Sequence, residues 1–377
     1  MAITSRNENF WEQRQLGEIF KFSQGLQVPI DQQFEKKEEN TERFIRIVDV
    51  TQDNIPQRFV YNPTGKGRVN LDDIFFVRYG AVGTIGHGFK GVIANNLFKV
   101  IPLIDINPLF WFYQFSDIRF NSRLKALSAS TSMPAINFNT LRKMIISNTS
   151  IVEQNKIGTI LKSLDDLLTL YERKIKLLSQ EKKYFLDNLF AGKEYPNLRF
   201  KGFTDAWEQR KLLKVCKKED NKRIPIKEQE RKEGNTPYFG ANGIQGYIDG
   251  YTHDGTNILI AEDGANNVRN YPIKLITGKI WVNNHAHVLK VNTKTNNGNF
   301  LVGAIKKINF YRYLVGSSRY KLTAESLNQV KIKIAKQSEQ EKIGELLKNI
   351  EELLTLYENK QQYLTEIKNV LLNTMFI

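Results

Sequence analysis

The residue groupings best suited to chemistry in this chain are few, and their spacing argues for binding rather than catalysis. Gly86-His87-Gly88-Phe89-Lys90-Gly91 matches the spacing of a dinucleotide-binding turn, whose glycines let the backbone approach a phosphate held at a helix start. The residues that follow, Val92 and Ile93 and then Asn95 and Asn96, read as strand and turn. The glycines are therefore assigned to a hairpin or to a loop that lies close to nucleic acid. His285 and His287 stand two apart, a metal-compatible spacing on one strand face, but no third ligand is evident and no metal is expected. Cys216 is the only cysteine, which excludes an internal disulfide and a cysteine-cluster metal site and fits a reducing compartment. Phosphate-binding loops, zincin motifs and nuclease carboxylate clusters are absent from the sequence. The chain is expected to catalyse nothing and to bind no cofactor of its own.

What the chain carries instead is positive charge. Lys and Arg number 55 against 40 Asp and Glu, a net charge of +15, which points to a polyanionic partner, nucleic acid ahead of an anionic membrane. No window approaches the ~18 apolar residues of a membrane span, and the N-terminal MAITSRNENFWEQ has no signal-peptide core, so the expected location is the cytoplasm. On DNA, Lys and Arg neutralise phosphates, Arg takes guanine bidentately and Asn takes adenine. Loop positions bearing such side chains are the candidates for DNA contact. In the first half they are Arg78, Tyr79, Asn95, Asn96, Ser130, Thr131 and Ser132. In the second half they are Asn266, Asn267, Arg269, Asn283, Asn284 and His285, with Ser317, Ser318 and Arg319 further on. Each of them also suits plain turn chemistry.

The elements that must position these loops occur twice. FWEQRQLGEI from Phe10 returns as AWEQRKLLKV from Ala206, which sets Trp11 and Trp207 196 positions apart. EQNKIGTILKSLDDLLTLYERK from Glu153 returns as EQEKIGELLKNIEELLTLYENK from Glu339, 186 positions on. Each copy thus runs from an entry motif through a variable body to a helical segment. The bodies are strand-rich, with runs such as DIFFV, NILIA and KIWV cut by Gly, Asn and Asp turns. Weak parallels link them: LDDIFFVRYGAVG from Leu71 with TNILIAEDGANNV from Thr256, and IANNLFKV from Ile93 with VNNHAHVL from Val282. Helix is expected around Pro108 to Ser128 and Asn299 to Leu314, with Asn107 as a cap and Pro108 as the first helical residue.

The helical segments carry a heptad stripe. In the first it is Ile157, Leu161, Leu164, Leu168, Tyr171, Ile175 and Leu178, continuing through Lys182, Phe185 and Leu189. In the second it is Ile343, Leu347, Ile350, Leu354, Tyr357, Gln361 and Leu364, continuing through Lys368, Leu371 and Met375. Two matching stripes in one chain most simply pair with each other, and a duplicated chain closing through like helices adopts a pseudo-twofold, which makes the coiled coil antiparallel. Ser150 with Glu153 is a capping-box pattern, and Gly192 with Pro196 ends the first helix.

Two divergent strand-rich bodies alternating with two near-identical heptad helices, joined through PNLRFKGFTDAWEQRKL from Pro196, resemble the specificity subunit of type I restriction-modification systems over essentially the whole chain. The resemblance implies an α+β fold of two target-recognition domains separated by two long helices in an antiparallel coiled coil, a tandem pseudo-twofold repeat. Residues 1–150 are the first such domain, 151–191 the central spacer helix, 192–206 a linker, 207–336 the second domain and 337–377 the C-terminal spacer helix. It further implies a non-catalytic reader of an asymmetric, bipartite site in double-stranded DNA. Two methyltransferase subunits would dock on it and recruit restriction and translocase subunits, and S-adenosylmethionine, ATP and Mg would be cofactors of those partners. The first copy departs from the pattern in beginning abruptly at Trp11, without a counterpart of the Pro196 to Thr204 lead-in. The alternatives are a reader for a stand-alone methyltransferase, or a coiled-coil scaffold that never touches DNA. Asn107-Pro108-Leu109-Phe110 is similar to a loop of adenine methyltransferases, but lacks its second proline and any preceding cofactor loop.

Overall fold

The computed structural model describes residues 11–128, 135–316 and 320–376, and the chain divides into two compact units. One takes residues 1–171 and 360–377, the other residues 172–359, so both boundaries fall inside the long helices.

Each unit is closed by the repeated entry motif. Glu12–Gln15 pairs antiparallel with Ile145–Asn148, and Glu208–Lys211 pairs in the same way with Lys331–Ile334. The Trp-Glu-Gln-Arg segment is therefore a strand laid against the strand that leads into the long helix. The indole Nε1–H of Trp11 donates to Glu153 at 3.3 Å, and that of Trp207 donates to Glu339 at 3.0 Å. The residue after each glutamate, Gln154 or Gln340, is almost wholly buried. Its Oε1 accepts the backbone N–H of Asn107 at 3.0 Å or of Asn297 at 3.1 Å. Those asparagines cap the helices Pro108–Ser116 and Gly298–Lys306. Gly158 and Gly344 let the long helix approach the cap, since a Cβ would stand 2.5 Å from Asn107 Oδ1 and 2.0 Å from Asn297 Oδ1. The shared Glu-Gln-x-Lys-Ile-Gly sequence is thus the seat on which body and helix meet.

Between closure and helix, the bodies share a sheet order. In the first unit the strands lie in the order Phe20–Gln24, Leu97–Pro102, Ile74–Val77, Ile85–Gly86, all antiparallel. In the second they are Cys216–Lys218, Ala286–Val291, Asn257–Ala261, Ile273–Ile276. A further sheet in each unit contains one parallel pair, Thr41–Ile45 with Gly91–Ile93 and Thr236–Gly240 with Trp281–Val282. These strands bury aromatic and branched residues on close-packed cores: Phe20, Phe76, Phe98, Trp111 and Phe115 in one, and Trp207, Ile258, Leu289 and Phe300 in the other.

Helix forms in both expected stretches, each in two pieces. The stretch from Pro108 to Ser128 forms two helices, Pro108–Ser116 and Ile118–Ser128, because Asp117 turns to an extended backbone and its Oδ1 accepts the Arg119 N–H at 2.9 Å. The second stretch ends its α-helix at Lys306, and Phe310–Tyr313 is a separate 3-10 turn.

The long helices are Ile151–Leu189 and Gln337–Met375, 39 residues each, or roughly 58 Å. The heptad positions through Leu178 and Leu364 are buried or half-buried, whereas Leu167, Leu170 and Leu177 are exposed. In the first unit Asp165 pairs with Lys368, and Lys360 lies 6.0 Å over the Tyr171 ring. In the second Lys182 pairs with Glu351, and Lys174 lies 5.1 Å over Tyr357. Within each unit, rising numbers on one helix meet falling numbers on the other, which is the antiparallel pairing expected. The ends finish the cores: Leu371, Leu372, Met375 and Phe376 pack on the first, as Phe185, Leu186, Leu189 and Phe190 do on the second.

Candidate nucleic-acid interface

In the first unit the candidates converge at one end of the strands of the antiparallel sheet. Arg78 follows Ile74–Val77, Gln24 ends Phe20–Gln24, and Asn95 and Asn96 form the turn before Leu97–Pro102. Arg78 Nη1 donates to Gln24 Oε1 at 3.0 Å, and Gln24 Nε2 donates to the Asn95 carbonyl at 2.7 Å. The guanidinium also lies 5.2 Å over the Phe138 ring. Arg78 is thereby oriented on two sides, half-exposed, with donors to spare, as a bidentate base contact requires. The Asn95 and Asn96 side chains are half-buried, and Asn96 Oδ1 has no hydrogen-bond partner among the described residues. Tyr79 bridges to Ala135. Ser130, Thr131 and Ser132 lie outside the described residues.

In the second unit the Asn284-His285 turn repeats the Asn95-Asn96 turn, the His285 carbonyl accepting the Glu262 N–H at 2.8 Å as the Asn96 carbonyl accepts that of Arg78. Asn283 is buried and committed to the fold, its Nδ2 donating to Gln245 Oε1 at 3.1 Å and its Oδ1 accepting the His285 N–H at 2.8 Å. Asn284 is exposed and His285 half-exposed, with Nδ1 3.9 Å from Asp263. Asn266, Asn267 and Arg269 are exposed on the loop before Ile273–Ile276. That loop is pinned. Asn242 Oδ1 accepts the Asn266 N–H at 2.9 Å, and Asn267 Oδ1 accepts the N–H groups of Arg269 and Asn270. Ser317, Ser318 and Arg319 lie outside the described residues.

His285 and His287 do not form a pair. His285 sits in the turn, while His287 is fully buried on Ala286–Val291, with Nδ1 2.7 Å from Asp220 and 3.6 Å from Glu262. Its Nε2 lies 2.8 Å from the Leu322 carbonyl. Asp220, Glu262 and His287 have the ligand types of a metal site. Arg223, 2.6 Å from Glu262, and Lys321, 3.3 Å from it, already place cationic charge there, so the cluster is an ion-pair network. Burial raises the Asp220 carboxyl pKa, but hydrogen bonds from His287 and the Val288 amide, with the charges of His287 and Arg223, outweigh it and hold the group below its usual value. Cys216 is buried, which pushes its thiol up to about 12.

Gln24, Asn242 and Gln245 were missed as loop-setting residues. Asn242-Gly243 carried a recognisable hairpin sequence, whereas the reach of Gln24 and Gln245 across strands left no local trace.

The family model for the type I restriction modification DNA specificity domain matches residues 8–180 and again 204–366. A Haemophilus influenzae protein assigned as a type I restriction enzyme specificity subunit is 40% identical over 163 residues, 43% of this chain and 39% of that protein. The MjaVIII type I restriction enzyme specificity subunit of Methanocaldococcus jannaschii is 22% identical over 416 residues, 97% of this chain and 92% of that protein. The chain therefore spans well under half of the first relative and nearly all of the second. The crystal structure of the type I restriction-modification S subunit from M. genitalium matches with a TM-score of 0.71 at 17% identity, covering 100% of this chain and 98% of that one. The expected fold of two strand-rich bodies and paired long helices is the fold observed.

Proposed function

We infer, from the premise that this chain belongs to the type I restriction-modification DNA specificity family, that it reads a bipartite DNA site for partner subunits and catalyses nothing itself. The observation that carries this reading is the contrast within the duplication. The closing strand, the Glu-Gln-x-Lys-Ile-Gly seat and the helix pairing repeat from unit to unit, while the side chains of the loops at the strand ends do not. A frame kept constant under two different sets of loop side chains suits two half-sites of different sequence. The net charge of +15 would supply phosphate affinity without sequence choice, and the accessible Arg78, Asn266, Asn267 and Arg269 would add base contacts.

Docking of two methyltransferase subunits fits the outer faces of the long helices. Leu167 and Leu170 are 40% and 45% exposed, and their repeat counterparts Leu353 and Leu356 are 39% and 45% exposed. One apolar patch given twice suits two copies of one partner. S-adenosylmethionine, ATP and Mg belong to those partners in this reading, which places the chain with its DNA in the cytoplasm. No described helix is long and apolar enough to cross a membrane.

Exchange of residues 207–336 for the second body of another specificity subunit tests the reading. The modified DNA sequence is expected to change in one half only. Both halves changing together would refute independent readers.

A further inference from the structure

The second unit holds two adjoining cavities, of about 310 and 270 Å³, that share Ile273, Lys274 and Lys306. The asparagine loop, with Asn242 and Asn266, borders one of them, and Lys182 and Glu351 border the other. Lys182 and Glu351 satisfy each other. Lys306 is half-buried at the last turn of Gly298–Lys306, and Lys274, on Ile273–Ile276, is exposed at the rim of both cavities. Neither amine makes an ion pair or hydrogen bond among the described residues. Burial lowers the Lys306 pKa, and the nearby positive charges of Lys182 and Lys274 push the same way, while Glu351 opposes them. The carbonyl end of a helix offers only part of a charge in return.

The first unit shows that the shared frame does not require this arrangement. Counting from the capping asparagines, Tyr113 stands where the second unit has Gly303, and Ser116 stands where it has Lys306. The Tyr113 hydroxyl donates at 2.7 Å to Asp165, the repeat counterpart of Glu351. The first copy thus has a tyrosine and a serine where the second has a glycine, closely packed by Phe190 and Leu347, and the unpaired Lys306.

We propose that Lys306 and Lys274 hold one backbone phosphodiester of the DNA in this cavity, registering the asparagine loop on its half-site. The proposal rests on the DNA-reading function inferred above. Two ammonium groups donate to the non-bridging oxygens of one phosphate, and the anion supplies a counter-charge for the half-buried Lys306. As a contact to the backbone it positions the unit and carries no base information.

The test is fluorescence anisotropy of the full-length chain with a mixed-sequence duplex over a range of salt, comparing wild type, K306Q, K274Q, the double variant and K306R. The double variant is expected to reduce the slope of log affinity against log salt by about 0.9, the value for one phosphate contact, and to weaken binding roughly fivefold at physiological salt on every duplex. K306R keeps the wild-type slope. K306Q melts no lower than wild type, because it removes a cation buried without a partner. A folded double variant with wild-type slope and affinity overturns the phosphate site, provided the wild type itself binds with steep salt dependence. A wild type that shows no salt-dependent binding overturns the DNA-reading function on which the site depends.

Discussion

At the scale of single residues, side chains proposed to meet DNA are held still by other side chains. Arg78 is braced by Gln24 and Phe138, and the Asn266 loop is pinned by Asn242. The same economy appears in the interior, where Asp220 ties the buried His287 and the Val288 amide to its own turn. A carboxyl held below its ordinary pKa takes up its proton at lower pH in the folded chain than in the unfolded one. Its stabilisation is therefore present above the ordinary carboxylate range, about 3.9, and is lost as pH falls through the lowered value. D220N is expected to cost about 3 kcal/mol at neutral pH, since it leaves His287 and Arg223 short of a partner. Urea unfolding should show a wild-type acid loss steeper than that of D220N. Equal slopes through the acid range would contradict the assignment. Sequence reading found the loop residues by type but not their tethers. Asn283 looked like an exposed amide and is buried against Gln245, 38 positions away, a pairing no local pattern encodes.

At the scale of elements, the repeated Glu-Gln-x-Lys-Ile-Gly segment explains why two stretches of helix resemble each other more than the bodies they serve. Glutamate takes an indole N–H, glutamine takes the amide of a capping asparagine, isoleucine is buried, and glycine permits the approach. Alanine ordinarily stabilises a helix interior relative to glycine by about 1 kcal/mol. G344A should do the reverse, because its Cβ would press on Asn297 Oδ1, which accepts the N–H groups of Asn299 and Phe300. The expected loss is about 1–3 kcal/mol in chemical denaturation, and a gain in stability would show that the close approach is not structural. The heptad stripe was legible because its period is intrinsic to the helix. The break at Asp117 was not, since it depends on that one side chain capping Ile118–Ser128.

At the scale of the whole molecule, the duplication was the most legible feature, because the closing strand and the helix seat are shared between copies and bracket everything between them. The sheet order common to both bodies left only faint sequence parallels, since strands need alternation and burial rather than particular residues. In the proposed reading, what each body recognises depends on the exposed side chains of its loops. The central claim is therefore that one chain presents two different readers on one frame and leaves chemistry to others. Mapping modified adenines in DNA from cells carrying this chain, with and without its partner methyltransferase subunit, tests that claim most directly. The account predicts a split, asymmetric motif modified only when both are present. Modification by this chain alone, or an unsplit motif, would contradict it.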